Sequence, residues 1–246
     1  MPWTTAMIPE LTIILLILFA AGLVQGASSC GFGLVAVTLL SFAMNIKDAS
    51  VGLVLVSMSV NIFIFWRLRA SFRFGRITPL MISSLFGVPL GVLVLIKADE
   101  DMLKRILGMI LIIAVVQGIL PKLMHRRWHP LWLGVPCGLF SGALAGAFAA
   151  GGPPVIAYLS TQKFKHLRYA ASVQFVLGSA GIIRLLVLGV NNSISTELLC
   201  LSVAGATAAC VGAFIGLKIL KAISQDIFRK LVLSILTIMA VVYLSR

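Results

Sequence analysis

The sequence predicts an all-α membrane protein of two inverted repeats, about five hydrophobic segments each, with broken or re-entrant glycine-rich helices at the repeat starts. Three observations carry this prediction. The chain is too apolar for a soluble protein, its two halves match at several places in one order, and its basic residues crowd one set of loops.

Of the 246 residues, 60% are hydrophobic and 11% charged, and the mean hydropathy is +1.10. A soluble chain of this length cannot hide that much apolar surface, whereas a multi-span helical protein needs it at roughly 20 residues per span. The apolar runs are continuous and not alternating, which argues against a β-barrel. They fall at about 8–25, 27–44, 49–66, 77–96, 103–120, 131–149, 151–160, 169–190, 198–220 and 228–244. The opening MPWTTAMIPE has no basic n-region and no small-residue cleavage site, so the first run is expected to stay as a span. Connections are short, and residues 1–246 read as a single transmembrane domain. Repeat 1 covers about 8–120 and repeat 2 about 131–244.

The repeat assignment rests on four matches. GLVQGA from Gly22 pairs with GLFSGA from Gly138, and ASV at Ala49 with ASV at Ala171. GVPLG from Gly87 pairs with GAFIG from Gly212, and LKRIL from Leu103 with FRKLV from Phe228. The offsets of 116, 122, 125 and 125 drift upward, as a duplication with small loop insertions requires. Five segments per half is an odd number, so the halves should point in opposite directions.

Charge tests that independently. With alternating segments, loops 67–76, 121–130, 161–168 and 218–230 share one side, carrying fourteen Lys or Arg against Asp226 alone. The other side carries five basic against six acidic residues. The basic loops are therefore expected in the cytoplasm and both termini outside. The net charge of +13 is a topology signal here, and nucleic acid is not expected as a partner. Cys30, Cys137, Cys200 and Cys210 lie in apolar runs without CxxC spacing, and read as small packing residues.

The stretch GAFAAGGPPVIAYL, Gly146–Leu159, interrupts the apolar pattern most sharply. Proline is tolerated in the first turn of a helix, and glycine before it permits a sharp entry, so a short helix is expected over 153–160. Its free N–H groups at Gly151, Gly152 and the start at Pro153 would suit an anion at membrane depth. A plain kink is the other reading. For Gly22, Gly26, Gly138, Gly142 and Gly146, spaced GxxxG, close helix packing is the simpler reading.

Arg184 in SAGIIRLL is the one strong charge inside a span. It is a candidate countercharge for a flat oxyanion. Snorkelling to the outer interface beside Asn191 and Asn192 is the alternative. Ser28, Ser29, Asn61, Gln117, Ser141, Gln174 and Ser179 are polar candidates for the same path, each equally able to serve as a helix contact. No Asp or Glu lies mid-span, and His125, His129 and His166 sit in basic loops. No phosphate loop, HExxH or nucleophile–His–acid set is present. No catalytic residue, metal site or cofactor is expected, and the chain does not read as an enzyme. Anion export needs no coupling ion, because an inside-negative potential contributes about 2.3 kcal/mol per charge per 100 mV, a roughly fiftyfold outward bias.

Across nearly its whole length the chain resembles the sulfite exporter TauE/SafE family. The likeness rests on GLVQGASSCGFG, NIKDASVGL, the basic loop RLRASFRFGR, GVPLG, GLFSGALAGAFAAGGPP and KFKHLRYAASVQFVL. The resemblance implies a bacterial inner-membrane transporter for sulfite, sulfoacetate or related sulfonate or carboxylate anions, usually working outward. The first half departs from the family pattern, with Ser29, Cys30, Gly31, Phe32 and Gly33 where a glycine run and a proline are usual. The expected site lies near the midplane where the two breaks meet, formed by Gly151, Gly152, Pro153, Arg184, Ser28, Ser29, Asn61, Gln174 and Ser179. The expected partners are a small anion and the lipid bilayer, with a homodimer left open. A channel, a scaffold or sensor, and an intramembrane enzyme using Cys30 are the rival readings.

Overall fold

The computed structural model describes residues 7–119, 130–162, 164–191 and 196–222, and the regular structure in those stretches is all helical. The helices are α1 (Met7–Ser28), α2 (Phe32–Leu40), α3 (Ile46–Leu68), α4 (Thr78–Lys97) and α5 (Glu100–Ile119), followed by α6 (Pro130–Phe148), α7 (Gly152–Thr161), α8 (His166–Val190) and α9 (Thr196–Ala222). Among the described residues five stretches are long and apolar enough to cross a membrane: Leu11–Ser28, Ile46–Ser71, Thr78–Lys97, His166–Val190 and Ser202–Ile219. The run expected over 228–244, the FRKLV match, most of loop 121–130 and the side chains of Gln117 and Cys200 lie outside the described residues.

Local chemistry accounts for the helix ends. Asn45 caps α3 by accepting from the Lys47 N–H at 2.8 Å, and Asp48 sits in the first turn, where the helix dipole favours an acid. Pro79 opens α4 and Pro153 opens α7, both in the turn where a missing N–H costs nothing. One expected boundary moves. The run predicted over 27–44 becomes the nine-residue α2, because α1 continues to Ser28 and the chain then turns through left-handed backbone at Ser29 (φ 64°) and Gly31 (φ 112°).

Two helix pairs are packed backbone to backbone. In the α4–α6 pair, a Cβ placed on Gly138, Gly142 or Gly146 would fall on the carbonyl oxygen of Leu80, Ser84 or Val88, respectively. In the α1–α9 pair, a Cβ on Gly22 or Gly26 would fall on the carbonyl oxygen of Ala209 or Ala213. Contacts advance together along both members of each pair, so each is parallel. The GxxxG spacings are thus packing faces, as lipid-embedded helices require when no water drives them together. Between the pairs, α3 and α8 cross with Gly178 on Asn61 and Gly181 on Met58, an antiparallel order. Large side chains such as Phe86, Leu90, Phe140 and Leu186 are exposed, as expected of a surface facing lipid.

The basic end is braced by aromatic rings. Phe72 packs on Phe65, Phe74 and Phe175, with centroids 4.5–5.3 Å away. Arg69 lies 4.0 Å over Trp66 and Arg168 4.3 Å over Phe164. The Tyr158 hydroxyl donates to the Arg76 carbonyl, tying the end of α7 to the basic loop.

Candidate functional site

The two glycine-rich stretches break helices at comparable places, and the breaks touch. After α1 the chain turns at Ser29 with φ 64°, and after α6 it turns at Ala149 with φ 56°. These are the positive-φ residues other than glycine among those described, and such backbone persists only where packing enforces it. A Cβ on Gly33 of α2 would meet the Ala149 carbonyl, and one on Gly152 of α7 would meet Cys30 Sγ. Side chains larger than hydrogen would hold the two breaks apart.

Between them lies a small cavity that admits about one water-sized sphere. It is lined by both breaks, by Ser57 and Asn61 of α3 and by Leu177 of α8. Backbone donors at its edge come mostly from α2. The first helical bond there is Val35 N–H to the Gly31 carbonyl, and Phe32 N–H is taken by Gln25, which leaves the Gly33 and Leu34 N–H groups over. The start of α7 offers less than expected from GGPP. Pro153 and Pro154 have no N–H, so Gly152 is its donor on the cavity.

Five amide and backbone groups fix the electrical character of this cavity. Phe32 N–H donates to Gln25 Oε1 at 3.0 Å, so Gln25 must turn its Nε2 outward. That nitrogen donates to Gln174 Oε1 at 3.1 Å and to Asn61 Oδ1 at 2.9 Å. Gln174 is oriented in turn by its Nε2 bond to the Ser29 carbonyl at 3.0 Å. A main-chain donor and a main-chain acceptor thus set the sense of the whole chain of amides. Its end is Asn61, only 7% exposed, which accepts from Gln25 through Oδ1 and lines the cavity. A polar side chain fixed by such a network at a cavity wall can meet a ligand without reorganising.

A family model describing the sulfite exporter TauE/SafE matches residues 14–243, nearly the whole chain. The chain belongs to the sulfite exporter TauE/SafE family. No curated protein and no solved structure shows a significant match to it. Membership makes this a multi-pass protein of a transporter family, which agrees with the apolar helices.

In this TauE/SafE protein the residues expected from sequence divide into three groups. Gly152, Pro153 and Asn61 line the cavity, and Ser29 and Gln174 stand in the amide network behind it. Gly151 sits beside α6, its carbonyl accepting from Ser141 Oγ at 2.7 Å. Ser28 and Ser179 do not line the cavity: Ser28 Oγ bonds Val24 O at 2.7 Å and the backbone of Cys30 in the break, and Ser179 Oγ bonds Val176 O at 2.9 Å. Gln25 had no place in the expected set, although it is the hub. Its signal in the sequence is the lone long polar side chain within GLVQGA.

Arg184 is placed differently from both expectations. It is 1% exposed, so it does not reach the outer interface, and it does not line the cavity. Its Nε donates to the Gly146 carbonyl at 2.9 Å, and its Nη2 to the Ser50 carbonyl at 2.9 Å and hydroxyl at 2.6 Å. Ser50 Oγ in turn donates to the Ala147 carbonyl at 2.5 Å. The guanidinium therefore caps the C-terminal end of α6, where a cation suits the dipole. Replacing Arg184 with Gln should lower the thermal midpoint of the purified protein, since orphaned buried carbonyls cost about 1–3 kcal/mol each. Lost anion affinity with an unchanged midpoint would put the guanidinium on the anion instead.

Proposed function

We propose that the protein is a secondary transporter that moves a small organic or sulfur-containing anion outward across the bacterial inner membrane by alternating access. Sulfite, sulfoacetate and related sulfonates or carboxylates are the substrate class. The observation that carries this reading is the meeting of the two glycine-rich breaks at one small cavity, lined by Asn61 and bordered by helix-start N–H groups.

Two inverted repeats are supported by the pairing of elements. The α1–α9 and α6–α4 pairs are related by exchanging the halves, and the corresponding helices α3 and α8 run antiparallel. Re-entrant hairpins are supported by length: α2 and α7, of nine and ten residues, cover about 14–15 Å at 1.5 Å per residue, half a hydrocarbon core. The basic loops then lie in the cytoplasm and the termini outside. The small cavity corresponds to a closed state, and admitting an anion requires the contacts of Cys30 with Gly152 and of Gly33 with Ala149 to part as one repeat rocks on the other.

Flux in proteoliposomes tests this. Saturable sulfite or sulfonate movement, accelerated by substrate on the opposite side and biased outward by an inside-negative voltage, is expected. Non-saturating flux would favour a channel, and no flux above empty vesicles a scaffold. Net flux indifferent to voltage would remove electrogenic export.

A further inference from the structure

We infer that a groove on α3, at the basic end of the bundle, holds an anionic phospholipid, with its acyl chain along Ile62, Phe63 and Trp66 and its phosphate at Arg67 and Lys218. The groove lies on the lipid-facing side of the helices, and the inference stands whether or not the cavity between the breaks carries an anion.

Helical spacing builds the groove. Ser59, Ile62, Phe63, Trp66 and Arg67 are the described residues that line it, and they share one face of α3. Eight residues at 1.5 Å each give a length of about 12 Å, close to the roughly 15 Å depth of one leaflet. Beyond Ser59 the wall is apolar as far as Arg67, with Ile62 44% and Trp66 62% exposed. A hydrocarbon chain suits such a wall. Trp66, one position before the cation, stands where an amphipathic ring is favoured, between acyl chain and headgroup.

Cations converge at the head of the groove. Arg67 Cζ lies 5.4 Å from the ring centroid of Phe63 and 5.3 Å from that of Phe214 on α9. Lys218 Nζ lies 4.6 Å from the same Phe214 ring. Helices α3 and α9 run parallel here, since Ser202 Oγ bonds the Gly52 carbonyl near their starts and Arg67 meets Phe214 near their ends. A helix C-terminus favours a cation, which accounts for either one alone. It does not account for two meeting over one ring, where like charges repel.

No described acid stands by to balance them. Glu10, Asp48 and Glu197 belong to the starts of α1, α3 and α9, at the other end of these parallel helices. Asp99, Glu100 and Asp101 open α5, which Asn45 ties to the start of α3 by donating to Glu100 at 3.1 Å. The ion pair among the described residues, Lys104 with Glu100, is at that end too. Two cations on one ring lie within reach of one headgroup. A phosphodiester there supplies the missing negative charge, and the chain attached to it fills the groove.

The experiment uses the full-length protein with Trp3→Phe, Trp128→Phe and Trp132→Phe, so that Trp66 alone of the four tryptophans fluoresces. It is reconstituted in phosphatidylcholine with a minor fraction of phosphatidylglycerol, one lipid or the other carrying brominated chains that quench on contact. Phosphatidylglycerol is expected to bind at Trp66 about fivefold to twentyfold more strongly than phosphatidylcholine, as one or two cations beside an anionic headgroup allow. Arg67→Gln combined with Lys218→Gln should bring the ratio near one. Arg67→Lys should keep most of the preference, and so should Arg73→Gln, on the basic loop away from the groove. Equal quenching per mole by the two lipids overturns the proposal. So does a preference that survives the double substitution, or one lost as fully in Arg73→Gln, which marks diffuse attraction to the basic end. Quenching by neither lipid overturns it as well, because a second copy of the chain or residues 228–244 then cover the groove. The comparison of the two lipids needs no change at either cation, so it decides the matter even where the double variant fails to fold.

Discussion

Asn61→Asp should abolish anion flux while leaving a folded protein. The aspartate oxygen still accepts from Gln25 Nε2, so the amide network that ties α1, α3 and α8 together survives. The side chain lining the cavity changes from a neutral amide to a carboxylate. Two like charges at about 4 Å repel by roughly 4 kcal/mol at an effective dielectric constant of about 20, which corresponds to roughly a thousandfold loss. Asn61→Ala removes one donor to a charged ligand, about 1.5–3 kcal/mol, so a tenfold to hundredfold loss is expected. Initial rates in proteoliposomes, with thermal midpoints in detergent as the control, distinguish these effects. Wild-type flux in Asn61→Asp would remove Asn61 from the proposed site.

The largest structural effect is expected at the α4–α6 crossing. Gly142→Leu should give no monodisperse, folded protein, because its Cβ would lie on the Ser84 carbonyl oxygen and its branches have no free space beyond. The two helices would have to separate by a side chain's width, and the α6 break would lose its register against Gly33. Gly189→Ala near the end of α8 is the matched control. Nothing lies within 4 Å of its Cβ position, and alanine favours a helix by about 1 kcal/mol over glycine. Size-exclusion chromatography of the two variants reads the difference, and a well-folded Gly142→Leu would mean the helices are not packed through their backbones.

Much of this was legible in the residues because the signals are local. A proline pair after two glycines favours starting a helix anew over a plain kink, and the observed α7, Gly152–Thr161, differs from the predicted 153–160 by one residue at each end. GxxxG spacing marks a face of the helix regardless of what it meets, and the packing reading of Gly22, Gly26, Gly138, Gly142 and Gly146 agrees with the structure. The polar candidates were harder to sort. Ser28, Ser29, Asn61, Gln174 and Ser179 carry similar weight in sequence, yet a hydroxyl in a helix readily bonds its own preceding turn, as Ser28 and Ser179 do. The longer amides reach neighbouring helices, as Gln174 does through Gln25, 149 positions away.

By itself, then, the sequence determined an all-helical membrane chain, its breaks at both glycine-rich stretches and the family it belongs to. Those follow from composition, backbone preference and motif spacing, which act over a few residues. Only the tertiary structure decided which groups share the cavity and which way they point. Asn61 Oδ1 accepts from Gln25 because Phe32 N–H and the Ser29 carbonyl orient Gln25 and Gln174, and Arg184 is held away by the end of α6. Hydrogen-bond direction passes from group to group across helices distant in sequence, so no local pattern records it.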